Sequence, residues 1–280
     1  MTEKETRELN KFAVQIRMGI TTQLVKRGFG HIGGCFSCAE LFAVLYGTAM
    51  NIDPKNPARE NRDRLIISKG HAGPAAYAAL ALKGYFPTDW LLTLNEGGTR
   101  LPSHCDRLKT PGIDFSTGSL GQGLSAGAGI ACAYTMDKRT DTVFVLLGDG
   151  EIQEGQIWEA AMSAAKYRLG NLIAFVDYNK IQLDGTVEAI MPLGDLDRKW
   201  LDFGWHVQRV NGHDVASIKA AIDIAKSMRG QPSVILLDTI KGCGAEEVVS
   251  KKHLNHHMHI DAALGNRIMD VLETELKKFA

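Results

Sequence analysis

Two short motifs place oxygen ligands at the ends of two predicted strands. The tripeptide Gly-Asp-Gly at 148–150 follows the apolar stretch 142–147, and Asn179 follows a second apolar stretch at 172–177. Both stretches are typical of buried parallel strands, whose carboxyl ends share the sheet edge where ligands bind in open α/β proteins. A carboxylate and an amide oxygen suit a hard cation that also keeps phosphate oxygens in its shell. The pair therefore predicts a site for a metal-bound diphosphate.

The tripeptide has a second interpretation when it is taken alone. A Gly-Asp-Gly turn between a strand and a helix is common and needs no ligand. The second strand and Asn179 favour the ligand site over a plain turn, and the glycines let the backbone approach phosphate groups closely.

Composition limits the classes of function. The chain has 280 residues, of which 45% are hydrophobic and 23% charged, with a formal net charge of zero. This is ordinary for a soluble protein in one large domain or two small ones, and it gives no general reason to expect nucleic acid or a membrane as partner. Residues 1–7 are charged and lack the apolar segment of a secretory signal, so a cytoplasmic location is expected.

Cysteine and histidine clusters leave alternatives open. The five cysteines are an odd number scattered along the chain and form no disulfide framework. Cys35 and Cys38 form a single CxxC, which is compatible with a zinc or redox pair but more typical here of small buried helix residues. The histidine run at 253–259 is either a metal cluster or a loop with one functional member.

The hydrophobic pattern predicts strands that alternate with helices. Predicted strands cover 64–67, 142–147, 172–177, 205–209 and 233–237, and predicted helices cover 5–27, 37–46, 72–83, 124–134, 215–228 and 262–278. The first helix is expected to end at Gly28. This order implies an α/β fold with a mostly parallel sheet covered by helices on both faces.

Taken together, the motifs resemble one family. Gly-Asp-Gly followed by an Asn is similar to the signature of thiamine-diphosphate enzymes. In chain order, the further motifs lie at 30–34, 68–72, 102–104, 116–123, 180–185 and 241–244. The whole set resembles the amino-terminal half of transketolase, from about residue 9 to about residue 257. Ile32 and Tyr178 depart from residues that are common in the family, but neither is a proposed ligand.

The resemblance implies a cofactor site. It implies thiamine diphosphate with Mg²⁺, or another divalent cation such as Ca²⁺ or Mn²⁺, on a single diphosphate-binding domain spanning 1–280. The implied metal ligands are Asp149, Asn179 and the backbone carbonyl of Ile181. The implied cofactor contacts are His71, Gly118, Ser119, Leu120, Gly150, Asn179, Lys241 and His256.

The resemblance also implies residues that face the sugar. His31 and His104 would hydrogen-bond the substrate, and a further family histidine would lie at His256 or His257. We assign His257 to the catalytic set, although counting from Lys241 leaves the choice open. Imidazoles suit this role because they can donate, accept and transfer protons near pH 7. For each histidine alone, a local hydrogen bond to the backbone is the alternative.

The implied function is one half of a two-chain enzyme. Complete transketolases continue into a pyrimidine-binding domain and a third domain, and we expect this chain to lack both. We therefore expect a subunit that transfers a two-carbon ketol unit from a ketose to an aldose, is inactive alone, and joins a partner carrying the missing domains, in an α₂β₂ assembly. The donor could be a pentose phosphate, a branched sugar phosphate or a sulfonated sugar. The alternatives are the α subunit of a 2-oxo acid dehydrogenase and a noncatalytic metal-binding or regulatory protein on the same fold.

Overall fold

Seven strands and eleven α-helices follow one another along residues 1–279, the part of the chain described by this computed structural model. Position 280 of the expected domain lies outside the described residues. The strands are β1 (Phe29–Gly30), β2 (Arg64–Ile67), β3 (Val143–Gly148), β4 (Leu172–Tyr178), β5 (His206–Asn211), β6 (Ser233–Asp238) and β7 (Met258–His259). The helices are α1 (Glu3–Arg27), α2 (Gly33–Phe36), α3 (Ala39–Val44), α4 (Gly73–Leu82), α5 (Gln122–Met136), α6 (Gly155–Lys166), α7 (Val187–Ile190), α8 (Leu196–Asp202), α9 (Val215–Ser227), α10 (Glu246–Val249) and α11 (Ala262–Lys277).

The main sheet has five parallel strands in the order β2-β3-β4-β6-β5. Gly148 at the end of β3 lies opposite Asp177 near the end of β4. The segments after these two strands therefore begin at the same height on the same sheet edge. A separate antiparallel pair joins β1 to β7, with Gly30 opposite Met258. This pairing brings the segment after β1 to the histidine run near the C-terminus.

Two hydrophobic cores lie on opposite faces of the sheet. Side chains of β3 alternate between them: Phe144 and Leu146 belong to one core, and Val143 and Val145 to the other. The first core includes α1, α3, α4, α9 and α11, and the second includes α5, α6 and α8. Alternation with period two on strands buried on both faces explains their continuous apolar sequences. The predicted mostly parallel α/β fold is confirmed.

Most predicted elements occur within two residues of their expected bounds. Helix α1 ends as expected at Gly28, which has φ 87° and closes the helix with backbone N–H bonds to Leu24 and Val25. The predicted helix at 37–46 corresponds to α3 and to the π-helical turn at Leu45–Ala49 that continues it. A break at Cys38, whose φ of −111° and ψ of 14° lie outside the helical region, separates α3 from α2. Ser37, at the same break, donates a hydrogen bond to Asp177 of β4, so a long-range contact replaces helix continuity.

The CxxC cysteines are buried in this α2–α3 region. Cys35 and Cys38 are free thiols, and each makes a weak sulfur contact to a backbone carbonyl: Cys35 to His71 at 3.6 Å and Cys38 to Gly34 at 3.2 Å. Burial raises the pKa of both thiols. These observations agree with the interpretation as small buried helix residues.

Across residues 1–279, every helix is too short or too polar to cross a membrane.

Helix α5 packs closely on the sheet through a glycine. A Cβ added at Gly127 would lie 2.5 Å from Cγ2 of Val145 on β3, whereas a Cβ added at Gly129 would meet no atom within 4 Å. The two glycines share one helix and differ only in the face on which they lie. The close approach fixes the distance between α5 and the sheet, and the residues just before α5 border the site described below.

We therefore expect opposite effects from two alanine substitutions. Gly127→Ala should destabilise the chain by about 1–3 kcal/mol, because the added methyl group overpacks the contact with Val145. Gly129→Ala should be neutral or stabilise by up to about 1 kcal/mol, because glycine is unfavourable inside a helix. Urea unfolding of both variants measures the difference, and equal effects would contradict the proposed packing constraint.

Candidate active site

A cleft of about 450 Å³ opens at the carboxyl edge of the sheet. The segment after β3 and the segment after β4 form its floor, as the strand register requires. Predicted site residues that line it are His71, Leu120, Asp149, Gly150, Asn179, Ile181, Lys241 and His256. Its volume lies in the usual range for small-molecule sites.

Asp149 ties the two strand ends together. One oxygen of its buried carboxylate accepts the N–H of Gly150 at 2.8 Å, and the other accepts the N–H of Lys180 at 2.5 Å. Burial, followed by the charge of Asp177, raises the pKa of Asp149 to about 7. A cation bound to this carboxylate would favour its ionised form.

Asn179 and Ile181 add two further oxygens beside Asp149. The Asn179 side chain donates through Nδ2 to Asp177 at 2.9 Å, and its Oδ1 accepts the N–H of Ile181 at 3.1 Å. The carbonyl of Ile181 accepts a hydrogen bond from Lys241 Nζ at 2.9 Å. Carboxylate, amide and carbonyl oxygens form a hard donor set, which suits Mg²⁺, Ca²⁺ or Mn²⁺.

Residues 1–279 contain no group of three or more His, Cys, Asp or Glu side chains arranged to hold a metal ion. A cation at Asp149 would therefore complete its shell with amide, carbonyl and external oxygens, such as those of a diphosphate. The residues present fit a hard cation that shares its shell with a phosphate group.

Positive charge and hydrogen-bond donors lie on the opposite wall. Lys241 Nζ is 3.1 Å from Nδ1 of His256, and burial lowers the pKa of Lys241 to about 8. Burial, followed by the Lys241 charge, lowers the pKa of His256 to about 3, and burial also depresses the pKa of His71. At pH 7 this wall therefore carries an ammonium group and neutral imidazoles, which suit an anionic ligand.

The loop that carries Lys241 is anchored from several sides. The N–H of Ile240 donates to His213 Nε2 at 2.8 Å, and His213 Nδ1 lies 3.2 Å from Glu40. The N–H of Gly242 donates to the carbonyl of Gly33 at 3.0 Å. His213 was not among the predicted site residues, because its link to Lys241 depends on the distance between separate loops.

Five imidazoles form a cluster beside the cleft. The ring of His31 lies 4.7 Å from His257, 5.3 Å from His71, 5.3 Å from His256 and 6.0 Å from His104, measured between centroids. The predicted histidines thus converge from three separate turns and the C-terminal run, which the pairing of β1 with β7 brings into place. His104 and His257 are exposed, whereas the other three are partly buried.

His256 and His257 face different parts of this cluster. His256 lines the cleft and contacts Lys241, whereas His257 stacks edge-on against His31 and also approaches Phe29, with ring centroids 5.3 Å apart. The structure therefore puts His256 in the cleft and His257 against His31. The sequence left the choice between them open, and their separate roles stay a prediction.

The predicted segment 118–120 is only partly in the cleft. Leu120 lines the cleft and is 38% exposed. Gly118, with φ 148°, lies beside His104, since an added Cβ would be 3.7 Å from its ring, and Ser119 is exposed outside the cleft lining.

Glu151, which was not among the predicted site residues, joins three segments of the site. Its buried carboxylate accepts hydrogen bonds from the Ser68 hydroxyl, from the N–H of Gly121 at 3.0 Å and from the N–H of Gly148 at 3.0 Å. It thereby holds the turn that carries Leu120 against the end of β3. An acidic residue directly after Gly-Asp-Gly, at the start of a buried turn, is a signal that could have identified it.

Comparison with known proteins identifies the family. Residues 9–276 match the family model described as "Transketolase, thiamine diphosphate binding domain". The chain belongs to the transketolase family. This membership favours the transketolase interpretation over the 2-oxo acid dehydrogenase alternative.

Curated relatives of this transketolase chain fall into two size classes. The chain is 50% identical over 275 residues to the 6-deoxy-6-sulfo-D-fructose transketolase subunit SqwG of Clostridium sp. (strain MSTE9), and the match covers 98% of this chain and 99% of the relative. It is 38% identical to an apulose-4-phosphate transketolase subunit from Actinobacillus succinogenes, covering 89% and 90%. It is 35% identical to human transketolase, covering 89% of this chain but 40% of that protein.

Solved transketolases share its fold. A Pichia stipitis transketolase mutant in complex with xylulose 5-phosphate superposes with a TM-score of 0.88 at 30% identity, covering 96% of this chain and 41% of that one. Transketolase from Campylobacter jejuni superposes with a TM-score of 0.84 at 28% identity, covering 100% and 48%. The chain thus spans less than half the length of these solved transketolases.

His31 provides a test of the cluster's electrostatics. Burial, followed by the charges of His257 and His104, lowers its pKa from 6.5 to about 4. As pH falls below about 6.5, the unfolded chain takes up this proton first, so stability decreases down to about pH 4. We expect His31→Gln to lose less unfolding free energy than wild type between pH 7 and pH 5, as measured by urea unfolding. The same pH dependence in both proteins would contradict this expectation.

Proposed function

We propose that this chain is the diphosphate-binding subunit of a two-chain transketolase that moves a two-carbon ketol unit from a ketose to an aldose. The observation that carries the proposal is the meeting of Asp149, Asn179 and the Ile181 carbonyl with Lys241 in one cleft, beside the His31 cluster. The first group suits a cation-bound diphosphate, and the second suits a polyol. Family membership agrees with both.

The cleft would hold the cofactor by its charged end. Asp149, Asn179 and the Ile181 carbonyl would bind a divalent cation, and Lys241, His71 and the backbone at Gly150 would contact the diphosphate. Leu120 would pack against the organic rings, with Gly118 and Ser119 nearby. When bound, thiamine diphosphate would supply a nucleophilic carbon and an electron sink for the transferred fragment.

Three histidines of the cluster would orient the sugar. Because the pKa of His31 is lowered to about 4, its ring is neutral at pH 7 and can both donate and accept hydrogen bonds. Together with His104 and His257, it would bind sugar hydroxyls and exchange protons with them as charge develops on oxygen. Unlike His71 and His256, these three do not line the cleft that contains Asp149, so sugar recognition would be separate from cation binding.

A partner subunit would complete the site. Two relatives named as transketolase subunits match this chain over 99% and 90% of their own length, whereas human transketolase is matched over 40%. We infer a single diphosphate-binding domain over 1–280, with a pyrimidine-binding domain on a second chain in an α₂β₂ assembly. The chain alone would then bind cofactor weakly and lack activity.

The first donor to test is a sulfonated ketose. The relative that is 50% identical over 98% of this chain is named for 6-deoxy-6-sulfo-D-fructose, and the one that is 38% identical is named for apulose 4-phosphate. These names supply two candidate donors with different anionic groups, a sulfonate and a phosphate.

Cofactor binding should depend on Asp149. Calorimetric titration of thiamine diphosphate into the chain, with and without the partner, should show binding that requires Mg²⁺ and strengthens with the partner. Asp149→Ala should weaken it at least about 100-fold, because a cation ligand is lost. Asp223→Ala removes an exposed carboxylate outside the cleft and serves as the matched control with unchanged affinity. Mg²⁺-independent binding, or equal loss in both variants, would contradict the cation site.

Activity should require both chains and the histidine cluster. With Mg²⁺ and thiamine diphosphate, the complex should transfer a ketol unit from 6-deoxy-6-sulfo-D-fructose to glyceraldehyde 3-phosphate, with apulose 4-phosphate and xylulose 5-phosphate as comparison donors. His31→Ala should lower kcat/KM about 100-fold, since a group that binds and protonates substrate oxygen is lost. Failure of a verified complex with every donor, or full activity of this chain alone, would contradict the proposed function.

A further inference from the structure

A buried ion pair lies directly beneath the proposed cation site. Asp177 on β4 and Lys69 after β2 are 0% and 1% exposed in their side chains, and Lys69 Nζ lies 2.5 Å from Asp177 Oδ2. Lys69 also donates to the carbonyl of Gly34 at 2.9 Å. Removing two charges from water is costly, and such a pair is often no more stabilising than apolar residues of similar size. A role in fold stability alone is therefore a weak explanation for it.

The carboxylate of Asp177 is surrounded by donors. Besides Lys69, its Oδ2 accepts hydrogen bonds from Ser37 Oγ at 2.6 Å and from Asn179 Nδ2 at 2.9 Å. Its Oδ1 accepts the hydroxyl of Thr239 at 2.5 Å. Four groups from four segments thus converge on one carboxylate, and one of them is the side chain of a proposed cation ligand.

The bond to Asn179 fixes which end of that amide faces the cleft. An asparagine side chain can turn by 180° and exchange its oxygen for its NH₂ group. Asp177 accepts hydrogen bonds only, so it holds the Nδ2 end and leaves Oδ1 on the side of the Ile181 backbone. The reversed amide would place an oxygen against the carboxylate and an NH₂ group, which cannot bind a cation, toward the site.

We propose that Asp177, with its charge balanced by Lys69, is a positioning residue that sets the Asn179 amide oxygen toward the bound cation. The inference rests on the proposed cation site. Groups hydrogen-bonded to a metal ligand commonly tune metal affinity by about 10- to 100-fold. Lys69 has a second effect, because it neutralises Asp177 and thereby limits repulsion between that carboxylate and the nearby Asp149.

The test removes the acceptor without leaving a buried unpaired charge. Asp177→Leu combined with Lys69→Met replaces the ion pair by apolar side chains of similar shape, whereas Asp177→Asn combined with Lys69→Met retains an amide oxygen for Asn179. Thr239→Val is the control, since it removes a hydrogen bond to the other Asp177 oxygen and leaves the Asn179 contact. Mg²⁺ affinity is measured by calorimetry on the complex of the chain with its partner subunit, in the presence of excess thiamine diphosphate, and folding is checked by thermal unfolding.

We expect the leucine double variant to bind Mg²⁺ about 10- to 100-fold more weakly than wild type. The asparagine double variant and Thr239→Val should stay within about threefold of wild type, because each keeps an acceptor for Asn179. NMR spectra of the cofactor-free proteins give a second measurement. Relative to wild type, the side-chain NH₂ signals of Asn179 should shift in the leucine double variant but not in Thr239→Val.

The outcomes separate this inference from the proposed function. Wild-type protein that shows no Mg²⁺-dependent binding would overturn the cation site and the role of Asp177 with it. Normal binding by wild type together with equal Mg²⁺ affinity in the leucine double variant would overturn the role of Asp177 alone. Equal weakening in all three variants would also overturn it, because loss of packing would then explain the effect. If the leucine double variant does not fold, the comparison is between the asparagine double variant and Thr239→Val. Weaker Mg²⁺ binding by the asparagine double variant than by Thr239→Val would overturn the role of Asp177. Equal Mg²⁺ affinity of these two variants, together with an unshifted Asn179 NH₂ signal, would support that role.

Discussion

The site depends on the parallel register between β3 and β4, which sets Gly148 opposite Asp177. Because both strands end at the same height, the segments after them meet without long loops, and Asp149 can accept backbone N–H groups from both. A shift of one residue in this register would turn the alternate side chains to the other face of the sheet. The two cores that hold the register therefore also fix the distance between the proposed cation ligands.

The histidine cluster depends on a different constraint, the short pairing of β1 with β7. This contact joins the N-terminal and C-terminal parts of the chain and brings His257 to within 4.7 Å of His31, measured between ring centroids. Burial, followed by neighbouring positive charge, lowers the pKa of His31 and of His256, so these two rings are neutral at pH 7. The ammonium group of Lys241 thus lies in the cleft, whereas His31 and His257 lie together outside its lining.

Sequence patterns predicted the parts of this arrangement that depend on local order. Apolar runs followed by Asp149 and Asn179 identified two strand ends on one edge, and the α/β fold followed from alternating elements. The patterns did not identify β1 and β7, since strands of two residues carry no periodic signal. They also did not identify Glu151 and His213, because those roles arise from distances between separate loops. Asp177 carried a usable signal, namely a charged residue inside an otherwise apolar strand, whose cost of burial calls for a compensating partner.

The charge balance of the site explains why two carboxylates can lie so close together. Asp177 and Lys69 neutralise each other inside the protein, and the Lys69 charge and the hydrogen bonds from Lys69, Ser37 and Thr239 outweigh burial to lower the pKa of Asp177. Asp149 is held instead by backbone N–H groups, and burial raises its pKa to about 7. Its environment is thus short of positive charge, which a divalent cation would provide. The Asp177 carboxylate is therefore engaged entirely inside the protein, whereas that of Asp149 borders the cleft.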